Sequence, residues 1–384
     1  MVATLAARLY ELPDTPGRIR AMEGMRGVAI ALVFLVHFDK QFLDYAPPDR
    51  FHAAVLALFR VIGHSGVDLF FLLSGYLIYG LVLESWKGYA RFLRRRLVRI
   101  YPVFLFVFTL YIGLSWIFPQ RSKIPDGWAP AAFYLLENLA MLPGLVDIPP
   151  MITVAWSLSF ELAFYLAMPV LASLAGMRRR PGRQRVLIVL AVSALLAAIY
   201  FAGHGRHLRM LMFASGILLW EALRVPAGTR LARWNSSAAA VFVLGLFLLS
   251  LVKTPRLVWL PWVGWYPEAY QVLIMGVTFF WFSAACFAGG GWLVRLMSRD
   301  ALRWLGNMSY SYYLLHGLAL QALRMALDVV LGPRPFPAPL FWLWFPLSFL
   351  LTVAAVTPLF VLVEKRYSLA RAVRRPLNAP PAAV

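Results

Sequence analysis

The chain has 384 residues, 61% of them hydrophobic and 14% charged, with a mean hydropathy of +0.71. A soluble domain averages about 25% charged residues, so the composition excludes a soluble globular protein and implies an all-α integral membrane protein. The net charge of +20 does not point to nucleic acid, because the basic residues sit in short clusters between apolar runs, as topology signals do. A single cysteine, Cys286, excludes an internal disulfide and a cysteine-based metal cluster.

The first apolar run holds Glu23-Gly24-Met25-Arg26-Gly27 near its start and His37 deep inside. Asp39 and Lys40 follow where a small-residue cleavage site would be needed, so no cleaved signal peptide is expected. Eleven steps at about 100° each bring Arg26 and His37 to one face of a helix, roughly 16 Å apart along its axis. If Arg26 lies at one membrane boundary, His37 lies near the middle of a core about 30 Å thick.

Ten spans are expected, at roughly 24–43, 60–84, 100–118, 152–174, 185–203, 208–223, 237–254, 269–288, 308–330 and 340–363. Residues 129–145 are apolar but short, and contain Glu137, Pro143 and Gly144; they read as an interfacial or re-entrant piece. With the N-terminus inside, 26 of the 37 Lys and Arg residues fall on inner segments, which supports an N-in, C-in bundle of about ten transmembrane helices. One domain is expected over 1–370, followed by a basic, flexible cytoplasmic tail at 371–384.

Four ionisable residues fall at similar depth on four of these helices. His37 lies about 20 Å in from the inner edge; Asp68, Glu161 and His316 each lie roughly 12–14 Å from an edge. Such residues normally face a polar cavity, so one shared chamber is expected. A histidine beside a carboxylate suits general-base catalysis, with the carboxylate orienting the imidazole; it suits a proton relay in a transporter or flippase equally well. On the inner side, Arg96 and Arg99 share a helical face at the membrane boundary, level with Arg26. Three arginines there could hold a polyphosphate.

The outer-loop histidines His204 and His207 lie beside Arg206 and Arg209. They read as a substrate or headgroup contact rather than a metal site, and no metal is expected. Gly289-Gly290-Gly291 lacks the Lys-Ser/Thr of a P-loop and reads as a turn. Trp259, Trp262, Trp265 and Tyr266 read as an interfacial belt.

Taken together, the motifs resemble the membrane acyltransferase-3 family. They are Glu23-Gly-Met-Arg-Gly with His37, Gly66-Val-Asp-Leu-Phe-Phe-Leu-Leu-Ser-Gly-Tyr-Leu-Ile78, Arg96-Leu-Val-Arg99-Ile-Tyr-Pro102, Trp156-Ser-Leu-Ser-Phe-Glu161 and Asn307-Met-Ser-Tyr-Ser-Tyr-Tyr-Leu-Leu-His316. They come in the family's order and cover nearly the whole chain. Two departures are Glu23, where the family more often has Asp, and Leu162-Ala163, where many members have an acidic residue and Gln. No stretch here resembles the C-terminal esterase-like domain of some members.

The resemblance implies an O-acyltransferase that moves an acyl group, usually acetyl, from cytoplasmic acyl-CoA to a hydroxyl of an extracytoplasmic carbohydrate or lipid-linked glycan. It implies Arg26, Arg96 and Arg99 as acyl-CoA contacts and His37 as the base, aided by Glu161 or Asp68, with a covalent acyl-His37 relay left open. His316, Ser159 and Tyr310 are expected to bind the acceptor or line the pocket. Acetyl-CoA is expected as a co-substrate, with no permanently bound cofactor. The expected setting is the bacterial inner membrane, with lipid and no nucleic acid as partners.

Overall fold

The computed structural model describes residues 2–13, 18–203, 208–226, 235–253, 267–288, 290–332 and 334–369. The tail at 371–384, His204, Arg206, His207, Gly289 and the expected belt residues Trp259, Trp262, Trp265 and Tyr266 lie outside them. Long apolar runs satisfy their backbone only by winding into helices. The helices are α1 (Val2–Tyr10), α2 (Arg20–Phe42), α3 (Arg50–Gly63), α4 (Ser65–Glu84) and α5 (Tyr89–Ile117). Next come α6 (Trp128–Leu139), α7 (Trp156–Leu174), α8 (Gly182–Phe201), α9 (Leu211–Ala222) and α10 (Asn235–Lys253). The last five are α11 (Pro267–Ala288), α12 (Trp292–Met297), α13 (Asp300–Asn307), α14 (Ser309–Leu331) and α15 (Ala338–Leu359). Beyond Pro358 the final helix widens into π-type winding over Phe360–Leu369.

Among the described residues, nine helical stretches are long and apolar enough to cross a membrane. The tenth expected span, 208–223, is the 12-residue α9, about 18 Å long and short of a full crossing. Its run is cut at Arg209, which lies in a separate turn, Leu208–Met210, and is drawn inward by Asp68. The expected span at 60–84 divides at His64 into α3 and α4. The piece at 129–145 is α6 and a turn through Met141 and Gly144, both at positive φ, and its 12-residue helix is too short for a full crossing.

Helix α2 is the central element, packed on α3, α4, α13 and α14. Its first turns touch α13 backbone to backbone: a Cβ on Gly27 would overlap the carbonyl of Leu302, and one on Gly306 would overlap the carbonyl of Glu23. Glu23 locks the same junction, bonded by Arg18 and by Arg303 Nε at 3.1 Å. Arg303 also bonds Glu11 and Asp300, tying the segment after α1 to α13. Helix α8, with Val189 as its one buried residue, is peripheral.

Candidate active site

The stretches of α2 around Arg26 and His37 open on two different cavities. The larger, about 690 Å³, is lined by His37, His64, Lys40, Trp156, Arg209 and Tyr313, among others. The smaller, about 120 Å³, is lined by Arg26, Arg96, Arg99, Glu161, Tyr165 and Tyr310, among others. Val67 of α4 and Tyr313 of α14 belong to both linings, so the cavities stand back to back across these two side chains. Tyr313 is held in place: its hydroxyl lies 2.7 Å from Ser157 Oγ and donates to the carbonyl of Val154 at 3.1 Å.

At the histidine end, Nδ1 of His37 lies 2.9 Å from the carbonyl oxygen of Val33, one turn back. A carbonyl can only accept, so in the neutral ring the proton sits on Nδ1 and Nε2 carries the lone pair. His316 is set the same way, its Nδ1 2.9 Å from the carbonyls of Tyr312 and Tyr313. Its Nε2 is buried without a hydrogen-bond partner. The two rings meet edge to face, with centroids 4.6 Å apart. A base with an available lone pair, next to a second imidazole, can take a proton from a hydroxyl.

The arginine end gathers three guanidinium groups around one cavity. Arg99 Nη1 donates to Glu364 Oε1 at 2.7 Å. Glu364 is fully buried in the π-wound segment, and its other oxygen accepts from the Ser311 amide at 2.9 Å and the Ser311 hydroxyl at 2.6 Å. Arg26 and Arg96 have no carboxylate partner among the described residues. Arg96 Nε is buried without a hydrogen bond, and its guanidinium stands 5.7 Å from the Phe92 ring and 5.8 Å from the Tyr165 ring. Glu161 accepts from Ser74 Oγ at 3.0 Å and from the Tyr165 hydroxyl. Two guanidinium groups therefore keep donors for a bound anion, and the volume suits a phosphate group rather than a whole nucleotide.

Residues 19–361 match the acyltransferase-3 family, described as an acyltransferase domain. The chain belongs to this family. BcsY of Komagataeibacter xylinus, whose name proposes a membrane-bound transacylase, is 28% identical over 315 residues, covering 78% of this chain and 72% of BcsY. The acyltransferase MdmB of Streptomyces mycarofaciens is 29% identical over 192 residues, 50% of this chain and 48% of MdmB. The peptidoglycan O-acetyltransferase OatA of Listeria monocytogenes is 26% identical over 330 residues, 78% of this chain and 49% of OatA. The chain thus spans about half the length of MdmB and OatA. No solved structure matches it.

With the family established, the expected residues can be placed one by one. His37 and His316 meet, and Arg26, Arg96 and Arg99 line one cavity. The expected pairing of His37 with a carboxylate is not what the fold builds. Glu161 lies in the arginine cavity, turned to Ser74 and Tyr165. Asp68 is committed to Arg209 Nε at 2.7 Å and Gln271 Nε2 at 2.6 Å. The single chamber expected from depth is two, because depth along a helix says nothing of which neighbour its face meets. Ser159 is fully buried, donates weakly back to the Ala155 carbonyl at 3.4 Å and lines neither cavity; Ser157, two residues earlier, does line one. Tyr310 lines the arginine cavity, its hydroxyl donating to the Ile100 carbonyl at 2.9 Å. His316 backs His37 rather than lining a cavity.

Three contributors escaped the sequence reading. Glu364 lies one residue beyond the expected end of the last span, and an ionisable residue continuing an apolar helix was the signal for it. Tyr313 sits inside the His316 motif but carries no charge to single it out. Arg209 stands beside the loop histidines in the sequence, and its partner Asp68 lies 141 positions away.

Proposed function

We propose that this membrane acyltransferase moves an acyl group, acetyl above all, from cytoplasmic acyl-CoA to a hydroxyl of an extracytoplasmic carbohydrate or glycoconjugate in the bacterial inner membrane. One observation carries the reading: a single helix presents an arginine-lined cavity and a histidine-lined cavity that share a wall. The phosphates of the donor rest on Arg26 and Arg96, with Arg99 held beside them by Glu364. The extended pantetheine arm crosses at Tyr313 and Val67 and brings the thioester to His37, a reach of about 16 Å along the helix.

The acceptor enters the larger cavity from the opposite face. Its hydroxyl oxygen attacks the thioester carbonyl while Nε2 of His37 takes the proton. The tetrahedral intermediate collapses, the carbon–sulfur bond breaks, and the thiolate leaves and takes up the proton from His37. Among the described residues no carboxylate is bonded to His37; the ring of His316, edge to face at 4.6 Å, is its neighbour.

Purified protein with labelled acetyl-CoA, a panel of glycans and CoA release as the readout tests the proposal. Wild type should release CoA in an acceptor-dependent way. His37→Ala should lower that rate by at least about a hundredfold while unfolding at the same temperature. Full activity in a folded His37→Ala protein would remove the mechanism.

A further inference from the structure

Arg209 has no part in the chemistry above, yet it is the best-prepared cation in the larger cavity. It is 7% exposed, on the turn before α9. Nε donates to Asp68 Oδ1 at 2.7 Å and Nη2 to the carbonyl of His64 at 2.6 Å. The Trp156 ring lies 5.4 Å from its guanidinium carbon and lines the same cavity. Nη1 makes no hydrogen bond among the described residues. The fork is thus fixed on two sides and on one face, and one edge remains for a ligand.

A plain counterion for Asp68 would not need this arrangement. Asp68 is fully buried, and its second oxygen takes a bond from Gln271, which in turn is bonded by Lys253. A second cation therefore already stands behind the carboxylate. An isolated buried pair is often no better than apolar side chains of the same size, so stability alone does not account for a guanidinium at a cavity wall. The mouth of the cavity is cationic too. Lys40 is exposed there, and Lys123 donates to the Pro150 carbonyl at 2.8 Å and to Oγ1 of the lining residue Thr153 at 3.1 Å. Burial, and next the Lys40 charge, pull the Lys123 ammonium below its usual range. Of the carboxylates on the wall, Asp39 accepts from Nε and Nη2 of Arg60, at 2.7 and 3.1 Å, and Glu268 accepts from the Leu208 amide at 3.3 Å.

We propose that Arg209 binds the acceptor and that the acceptor carries an anionic group, a carboxylate or a phosphate, seated on its Nη1 edge. This rests on the acyltransferase reading of the same cavity and names its substrate class. The volume of about 690 Å³ falls within the range of small-molecule sites, roughly 300–1,000 Å³. The Trp156 ring offers a sugar an apolar face beside the charge.

The test pairs one oligosaccharide containing a uronic acid with its carboxyl-reduced, neutral counterpart, and adds a phosphorylated oligosaccharide to separate the two anion sources. The preferred anionic acceptor should have a KM at least about tenfold below that of the neutral one, and the gap should narrow with added salt. Arg209→Gln leaves Asp68 buried without its cation and can fail to fold. The double variant Arg209→Gln with Asp68→Asn removes both charges and keeps hydrogen-bonding groups; it should fold and lose the preference. Arg209→Lys should restore part of it. Equal use of charged and neutral acceptors by wild type, or a preference that survives in the double variant, overturns the proposal. If acyl-CoA is never consumed, equilibrium binding of the acidic oligosaccharide still decides the matter. Salt-sensitive binding that the double variant loses supports Arg209; no binding, or binding that the double variant keeps, overturns it.

Discussion

At the scale of single residues, the three arginines of the smaller cavity separate into two kinds. Arg99 is one half of a buried ion pair, and Glu364 has no other cation bonded to it among the described residues. Arg99→Ala should therefore cost about 3–5 kcal/mol by stranding a buried carboxylate. Arg96→Ala, which strands nothing, should unfold near the wild-type temperature and instead weaken acyl-CoA binding. Thermal unfolding in detergent and donor binding separate these outcomes. Arg99→Ala combined with Glu364→Gln should regain stability but not donor affinity. An Arg99→Ala protein as stable as wild type would show that the pair is solvated and that Glu364 does not depend on it. Residue types and helix positions were legible in the sequence, whereas partners were not: nothing local to Arg99 indicates a carboxylate 265 positions later.

At the scale of elements, the Glu-Gly-Met-Arg-Gly stretch does two jobs. Arg26 serves the cavity; Glu23 and Gly27 serve the contact between α2 and α13, and Gly24 the contact with Met297 at the end of α12. That contact holds the start of α2 in place and thereby the position of Arg26. Gly27→Ala pushes a methyl into the backbone of Leu302 and should destabilise by about 1–3 kcal/mol. Gly317→Ala on α14, where a Cβ meets nothing within 4 Å, should be neutral or stabilising by up to about 1 kcal/mol. Unfolding temperatures of the two variants side by side check the packing; equal effects would mean that helix propensity, and not the close approach, governs both. Helix existence was legible because an apolar run has one way to satisfy its backbone in lipid. The shortness of α9 was less so, because its run reads as apolar up to Arg209 and the turn there is set by a partner on α4.

At the scale of the whole molecule, the wall shared by the two cavities is the feature on which the proposed transfer depends. Tyr313 closes it through Ser157 and Val154. Tyr313→Phe removes both bonds and should loosen the partition, so that acetyl-CoA is hydrolysed several-fold faster in the absence of acceptor. The measurement is CoA release without glycan. A rate no higher than wild type would mean that the arm does not pass at this side chain.

The sequence alone determined that the chain lives in a membrane, nine of the ten runs that are long enough to cross it among the described residues, and the short piece at 129–145. All of these follow from apolar length and a constant rise per residue. It also determined the family, because five motifs occur in order over most of the chain. Only the tertiary structure decided which groups meet. It turned Glu161 to Tyr165 and Asp68 to Arg209, set His316 against His37, and divided one expected chamber into two. The physical reason is that depth is a property of one helix, whereas the direction a side chain faces among its neighbours is fixed by the packing of all of them.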